Sequence, residues 1–203
     1  MSGTPGRPLS TELSEQLIFV AVDILAEEGW GRLNSDRVAA RARAGKAGIY
    51  RRWPTMAALA RTAVSRFDLV SVPPAGDSLR EDIVNLVARW TRPLDREERA
   101  VASIVGAARH EDELRAGLDD ALVRPLASAV ALIGRRAAAR GEPVDADRLA
   151  LLGSVLEAFW WLRYTAGGDG AMAPEQVEQV VDEVLVPIVL GASRLARAEP
   201  AAV

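Results

Sequence analysis

Apolar residues recur at intervals of three and four along almost the whole chain, the spacing of one face of an α-helix. Runs that alternate apolar and polar residues, as a half-buried strand requires, are missing from this pattern. Alanine, leucine, arginine and glutamate, which favour helices, dominate instead. The pattern therefore predicts an all-α fold.

Four helices are predicted in the first 70 residues. The first begins after Ser10, a good N-cap, and ends at Gly29. The second is short and begins after Asn34, another good N-cap. The third covers Lys46–Trp53, and Thr55 caps the fourth.

Five more helices are predicted beyond the proline-rich loop at residues 72–76. Pro125 and Pro187 lie inside two of them and should kink or split those helices, because proline lacks the N–H that the helix needs. The five predicted ranges are 78–92, 96–109, 113–140, 146–165 and 174–197.

Charge divides at the same loop. The chain carries a net charge of −3, which arises from +4 in residues 1–66 and −7 in residues 67–203. Such an asymmetry suggests a nucleic-acid-facing end and a different role for the remainder. We therefore predict two domains, one at 10–70 and one at 78–197.

Positive charge is most concentrated between Arg32 and Arg52, where seven residues are basic and Asp36 is the one acid. The same segment reads as a short helix, a break at 43–45 and a second short helix, with apolar residues at the positions that would face inward. This arrangement is typical of a helix-turn-helix, whose second helix enters the DNA major groove. The alternative is that these cations form an ordinary solvated face.

The predicted second helix suits contact with DNA. Gly45 and Gly48 let the backbone approach closely, and unpaired N–H groups at a helix start favour a phosphate. Arg7, between Gly6 and Pro8, is similar to an arm that places an arginine in the minor groove, although a tail without that role is equally compatible. The candidate DNA-contacting residues are Arg7, Asn34, Ser35, Arg43, Gly45, Lys46, Ala47, Gly48, Tyr50, Arg51 and Arg52.

Five residue pairs in order resemble the TetR (tetracycline-repressor) family of one-component bacterial transcriptional regulators. They are Gly29-Trp30, Val38-Ala39, Ile49-Tyr50, Trp53-Pro54 and Ala58-Leu59. The sequence "IYRRWP" is similar to one recurrent subgroup of that family. The resemblance covers about the first third of the chain.

Two residues depart from the family pattern. Arg43 stands where the turn of the motif normally has glycine, and Gly48 stands where the family often has threonine or serine. A left-handed Arg43 would cost on the order of 1 kcal/mol. Gly48 would remove a hydroxyl contact to phosphate. Both differences bear on DNA affinity rather than on the fold.

The resemblance implies an N-terminal three-helix DNA-binding domain and a C-terminal helical ligand-binding and dimerisation domain. It implies a ligand-responsive repressor that binds double-stranded operator DNA as a homodimer and answers to an unidentified small-molecule effector. Apolar stripes in the last two predicted helices are candidates for the dimer interface, the alternative being that they face their own core. They comprise Leu149, Leu152, Val155, Leu156, Phe159 and Trp160, and Val177, Val180, Val181, Val184, Leu185, Ile188 and Val189.

Aromatic residues cluster near the end of the helix predicted at 146–165, and part of this set cannot share one face with the rest. One interpretation is a ligand pocket between helices, oriented by a few polar groups. Ordinary packing is the alternative. The candidate ligand-binding residues are Trp90, Arg109, Glu157, Trp161 and Tyr164.

Composition bounds the remaining chemistry. The chain has no cysteine and one histidine, His110, so thiol catalysis, cysteine zinc sites and sites built on several imidazoles are excluded. We expect no cofactor, no metal and no enzymatic activity. The alternatives are a small α-helical enzyme that uses His110, or a helical scaffold protein that no longer reads an operator. Apolar runs too short for a bilayer and the absence of a signal sequence predict a cytoplasmic protein that does not bind membranes.

Overall fold

The computed structural model describes residues 11–191, and throughout that range the regular elements are helical and no strand occurs. The all-α prediction is thus confirmed. The α-helices are α1 (Thr11–Glu28), α2 (Ser35–Ala42), α3 (Lys46–Tyr50), α4 (Met56–Val64), α5 (Leu79–Val87), α6 (Arg96–Ile104), α7 (Asp112–Leu118), α8 (Arg124–Ala139), α9 (Ala146–Thr165), α10 (Pro174–Val180) and α11 (Val186–Leu190).

Two five-residue π-helical segments, Asp119–Val123 and Val181–Leu185, connect α7 to α8 and α10 to α11. Each ends just before an α-helix that carries a proline in its first turn, Pro125 in α8 and Pro187 in α11. Proline cannot donate to the helix, and its ring clashes with the carbonyl four residues earlier. A wider π turn relieves that clash. The predicted interruption of both helices is therefore confirmed.

The helices pack into two compact units. Of the described residues, the first contains 11–67 together with 96–118, and the second contains 68–95 together with 119–191. In the first unit α6 packs against α1, and α7 packs against α4. The predicted domain 78–197 includes 96–118, which packs in the first unit. As functional domains, 10–70 and 78–197 remain a prediction.

Gly117 explains why α7 can pack so closely on α4. A Cβ atom at this position would lie 3.2 Å from the Cα of Arg61, so the absence of a side chain allows the two backbones to approach. Beside this contact the guanidinium of Arg61 donates to Glu113 at 2.8 Å. Helix α7 is consequently held to α4 by both packing and an exposed ion pair.

The core of the first unit is centred on α1. Its apolar residues at helical spacing are buried, and α2, α4 and α6 pack around them. Trp53, just after α3, is buried, and its indole N–H donates to Thr62 Oγ1 at 2.9 Å. The buried residues of α1 are Leu17, Ile18, Val20, Ala21, Val22, Ile24 and Leu25.

The second unit is built on α5, α8, α9, α10 and α11. Trp90 and Trp160 are fully buried in its core. The residues of the predicted interface stripes fall into two sets. One set is buried in the core of the unit, and the other is partly exposed. The buried set is Leu152, Leu156, Trp160, Val177, Val181, Leu185 and Val189.

Asp82 on α5 is a buried carboxylate that binds the loop before its own helix to α8. It accepts hydrogen bonds from the Gly76 N–H at 3.0 Å, from Arg140 at 2.8 Å and from Arg136 at 3.2 Å. Burial works to raise the pKa of Asp82, but the Gly76 N–H and the two guanidinium groups outweigh it and hold the pKa below its ordinary value. Asp82 is therefore a charged, fully bonded group inside the second unit.

Candidate nucleic-acid interface

Helix α2 begins at a polar cap. The Asn34 side-chain oxygen accepts a hydrogen bond from the Arg37 N–H at 3.0 Å, which satisfies one of the free donors of the first turn. Asn34 is exposed and Ser35 is half-buried. The predicted N-cap is confirmed, and the contact of these two residues with DNA remains a prediction.

The turn between α2 and α3 is left-handed at Arg43, with φ 49° and ψ 41°. Among residues 11–191 it is the one residue other than glycine with a positive φ. Arg43 thus takes the left-handed conformation considered above, at a cost of about 1 kcal/mol from the contact between its Cβ and the next carbonyl. The Ala44 N–H closes the turn by donating to the Ala39 carbonyl at 2.9 Å. The Arg43 side chain is exposed.

Helix α3 has one buried side and one exposed side. Ile49 is fully buried, whereas Lys46, Ala47, Tyr50 and Arg51 are exposed. Tyr50 is 50% exposed, which is high for an aromatic residue on a short, well-anchored helix. The exposed side therefore presents a cation, a methyl group, a phenol and a guanidinium together.

Lys46 forms an ion pair with Asp36, the acid inside the basic segment. The hydrogen bond and the charge of Asp36 raise the pKa of Lys46, so its ammonium group stays protonated at neutral pH. Both side chains are more than half exposed. Such a pair contributes little to stability, and a phosphate can replace the carboxylate.

Arg37 and Arg41 on α2 are bound to the fold itself. Arg37 pairs with Glu28, and Arg41 donates to Glu27 at 3.0 Å and to Glu28 at 2.7 Å. Both carboxylates lie at the end of α1, so these pairs hold α2 against α1. The arginines thus position the motif.

Arg51 and Arg52 differ although they are adjacent. Arg51 is exposed, whereas the Arg52 guanidinium donates to Ser14 Oγ on α1 at 2.8 Å and to the Gly48 carbonyl at 2.8 Å. Arg52 therefore anchors α3 to α1. Its contact with DNA remains a prediction, as does that of Gly45 and Gly48. Arg7 lies outside the described residues.

Three of the five predicted ligand-binding residues come together on α9. The Trp161 indole N–H donates to Glu157 Oε1 at 3.0 Å, and the rings of Trp161 and Tyr164 meet edge to face at 6.3 Å. Trp90 instead packs in the core, with its ring 5.3 Å from that of Phe159. Arg109 is exposed and belongs to the first unit.

Residues 11–191 contain no group of three or more histidine, cysteine or acidic residues placed to hold a metal ion. His110 is exposed and closes the short 3₁₀ turn Ala107–Arg109. Within the same range, every helix is too short or too polar to cross a membrane.

Comparison with known proteins gives two family matches. Residues 17–63 match the model described as "Bacterial regulatory proteins, tetR family", and residues 73–184 match the model described as "Tetracyclin repressor-like, C-terminal domain". Together they extend well beyond the helix-turn-helix, into the part of the chain for which the sequence offered no motif.

Two curated relatives and one solved structure are similar over most of the chain. An uncharacterised HTH-type transcriptional regulator of Mycobacterium tuberculosis (strain ATCC 25618 / H37Rv) is 29% identical over 91% of this chain and 89% of its own. The "DNA-binding transcriptional repressor TetR" of Mycobacteroides abscessus is 31% identical over 89% of this chain and 96% of its own. A TetR transcriptional regulator from Rhodococcus sp. RHA1 superposes with a TM-score of 0.58 at 16% identity, covering 87% of this chain and 94% of that structure, which supports the fold.

Proposed function

Because the chain belongs to the TetR family and is a DNA-binding transcriptional regulator of the helix-turn-helix type, we propose that it is a ligand-responsive repressor that binds a palindromic operator as a homodimer. The name of the Mycobacteroides abscessus relative, a transcriptional repressor, favours repression over activation. A small-molecule effector bound in the second unit lowers the operator affinity, and the coupling free energy between the two sites sets how strongly.

The exposed side of α3 is the observation that carries this proposal. The exposed side chains on this side are Lys46, Tyr50 and Arg51. The buried side chains that anchor the helix in the core are Ile49 and Trp53. A cation and a guanidinium neutralise phosphates, and a guanidinium or a phenol can contact base edges. A helix so presented at the second position of a helix-turn-helix fits the major groove.

An apolar stripe on α9 supports the homodimer. Leu151 and Leu162 are 52% and 56% exposed, and Val155 and Ala158 lie between them at helical spacing. Val184, in the π segment before α11, is also exposed. Large exposed apolar side chains gathered in one unit mark an interaction surface. A second copy is the natural occupant, because a palindrome needs two recognition helices about 34 Å apart.

A footprint on the DNA flanking the protein's own gene tests the operator. We expect two protected half-sites, about 10 base pairs apart from centre to centre or a multiple of that, and no protection with Tyr50→Ala. A single unpaired site, or protection that Tyr50→Ala leaves intact, would refute operator recognition by α3. A protein that protects no site in low salt would instead be a scaffold.

The dimer is tested by its mass in solution. Leu162→Glu places a charge on the apolar stripe and should convert the dimer to a monomer in analytical ultracentrifugation. Val72→Glu is the matched control, because Val72 is also exposed but lies in the loop before α5. A wild-type monomer, or a dimer that Leu162→Glu does not weaken, would contradict the assignment of this surface.

A further inference from the structure

An open groove of about 430 Å³ lies between α8 and α9 in the second unit. Its lining is largely apolar, with Leu126, Val130 and Leu149 as its larger side chains. Pockets for small molecules have volumes of roughly 300–1,000 Å³ and combine an apolar lining with a few polar groups. The groove has the size and the lining of such a site.

Gly153 keeps this groove open. It lies in the interior of α9, where glycine is less favourable than alanine, and a Cβ built on it would have no neighbour within 4 Å. Gly134 on α8 offers a contrast, because the side chain of Leu149 fills the space that its own would take. Packing thus explains why position 134 is glycine, whereas Gly153 faces empty space in the groove.

Glu157 gives the groove a charged end. It stands one helical turn after Gly153 and is the one charged residue among the described residues that line the groove. One of its oxygens accepts the Trp161 N–H at 3.0 Å, which fixes the carboxylate beside the Trp161 ring, and that ring in turn contacts Tyr164. A carboxylate held next to an aromatic ring is the chemistry that attracts an organic cation.

From this geometry we propose that the groove binds a small molecule with an apolar body and a protonated amine, with the amine at Glu157 and Trp161 and the body along α8. That this ligand acts as the effector rests on the proposed function. That the groove binds it does not. Gly153 and Glu157 set the specificity, one for shape and the other for charge.

The groove is separate from the apolar stripe of α9. At about 100° per residue, the direction shared by Gly153 and Glu157 differs by roughly 150° from that shared by Leu151 and Leu162. A second copy seated on the stripe would therefore leave the groove accessible. The amine therefore occupies the groove, and the second copy occupies the apolar stripe on another face of α9.

Isothermal titration calorimetry with a matched pair of compounds tests the proposal. 4-Phenylbutylamine, protonated at pH 7, should bind the full chain, and 4-phenylbutyrate, of the same shape with the opposite charge, should bind at least about tenfold more weakly. Glu157→Gln keeps an acceptor for Trp161 but removes the charge, so it should lower the affinity for the amine about tenfold or more. Glu175→Gln, at an exposed acid on α10, should have no effect.

Gly153→Leu tests the shape of the site. A Cβ at this position has no neighbour within 4 Å, so the leucine side chain has room to extend into the groove, and it should abolish binding of the amine while the thermal midpoint is kept. Ala139→Leu, at an exposed position near the end of α8, should bind as the wild type does. The proposal is overturned if the amine and the carboxylate bind equally well. It is also overturned if Gly153→Leu still binds the amine, or if Gly153→Leu dissociates a dimer.

The same variants separate this proposal from the proposed function. Without ligand, Gly153→Leu and Glu157→Gln should protect an operator as the wild type does. A chain that binds the amine but protects no DNA would refute the regulator and leave the groove assigned. A chain that protects DNA but does not bind the amine would refute the groove alone.

Discussion

One ion pair of the helix-turn-helix and one of the second unit lie in opposite environments. In the first, Lys46 and Asp36 pair on the surface, with side chains 53% and 75% exposed. In the second, Asp82 is fully buried and is bonded to two guanidinium groups and a backbone N–H. The same chemistry therefore occurs at two very different levels of hydration.

This difference follows from what each region does. A surface pair contributes about 0–1 kcal/mol, so it can be exchanged for a phosphate at little cost. A buried carboxylate without a partner costs several kcal/mol, so Asp82 and its partners stabilise one another in fixed positions. In the helix-turn-helix, Lys46 therefore stays exchangeable, whereas in the second unit Asp82 and its two arginine partners fix the loop at 73–76.

The largest expected effect is that of Asp82→Asn. It removes the charge that two partly exposed arginines pair with, and we expect a loss of about 3 kcal/mol in the free energy of unfolding. Chemical denaturation followed by circular dichroism measures it. Asp182→Asn is the matched control, because Asp182 pairs with Arg80 at 2.6 Å on the surface, and we expect a loss below about 1 kcal/mol. Equal losses would erase the contrast between buried and exposed pairs.

The pH dependence sharpens the same point. The folded-state pKa of Asp82 is lowered, so its contribution is fully present above the unfolded pKa of about 3.9 and is lost as the pH falls through the folded value. The stability difference between the wild type and Asp82→Asn should thus be constant near pH 7 and shrink below about pH 4. A difference that grows on acidification would contradict this assignment.

Lys46→Gln should act on DNA affinity rather than on stability. The loss of one phosphate contact should weaken operator binding about tenfold and lower the salt slope by about 1. Asp36→Asn, which frees Lys46 from its carboxylate, should strengthen binding. Fluorescence anisotropy across a salt series measures both. Arg80→Gln removes a comparably exposed cation from the second unit and should leave the salt slope unchanged.

Arg43→Gly should have the smallest effect. Glycine adopts the left-handed turn without strain, so we expect a gain of about 0.5–1 kcal/mol in the free energy of unfolding. Arg51→Gly is the control, because Arg51 has right-handed helical angles and glycine should destabilise it. Denaturation midpoints decide between them, and a loss at both positions would show that the Arg43 turn carries no strain.

The helix-turn-helix could be predicted in detail because its signals are local. Caps at Asn34 and Thr55, and inward positions such as Val38 and Ile49, depend on residues within one or two turns. The sequence could not predict that Arg51 is exposed while Arg52 binds α1. Ser14, which binds Arg52, lies 38 residues away along the chain.

The groove of the second unit could be predicted only in part. Of the predicted ligand-binding residues, Glu157 lines the groove and Trp161 donates to it. The sequence does not predict Gly153, because empty space between two helices has no effect on the pattern of apolar positions. Trp90 packs in the core against Phe159 and Trp160, and its contact with a ligand remains a prediction. The signal that could have identified Gly153 is a glycine in a helix interior without a bend or a cap to explain it.

Photo-crosslinking at two exposed aromatic positions of the first unit tests the central claim most directly. Tyr50 on α3 and Phe19 on α1 are 50% and 59% exposed, so benzoylphenylalanine fits either position with similar access to solvent. With operator duplex and ultraviolet light, the probe at position 50 should form a covalent adduct with DNA, and the probe at position 19 should not. An adduct from position 19 with none from position 50 would show that a surface other than α3 contacts DNA.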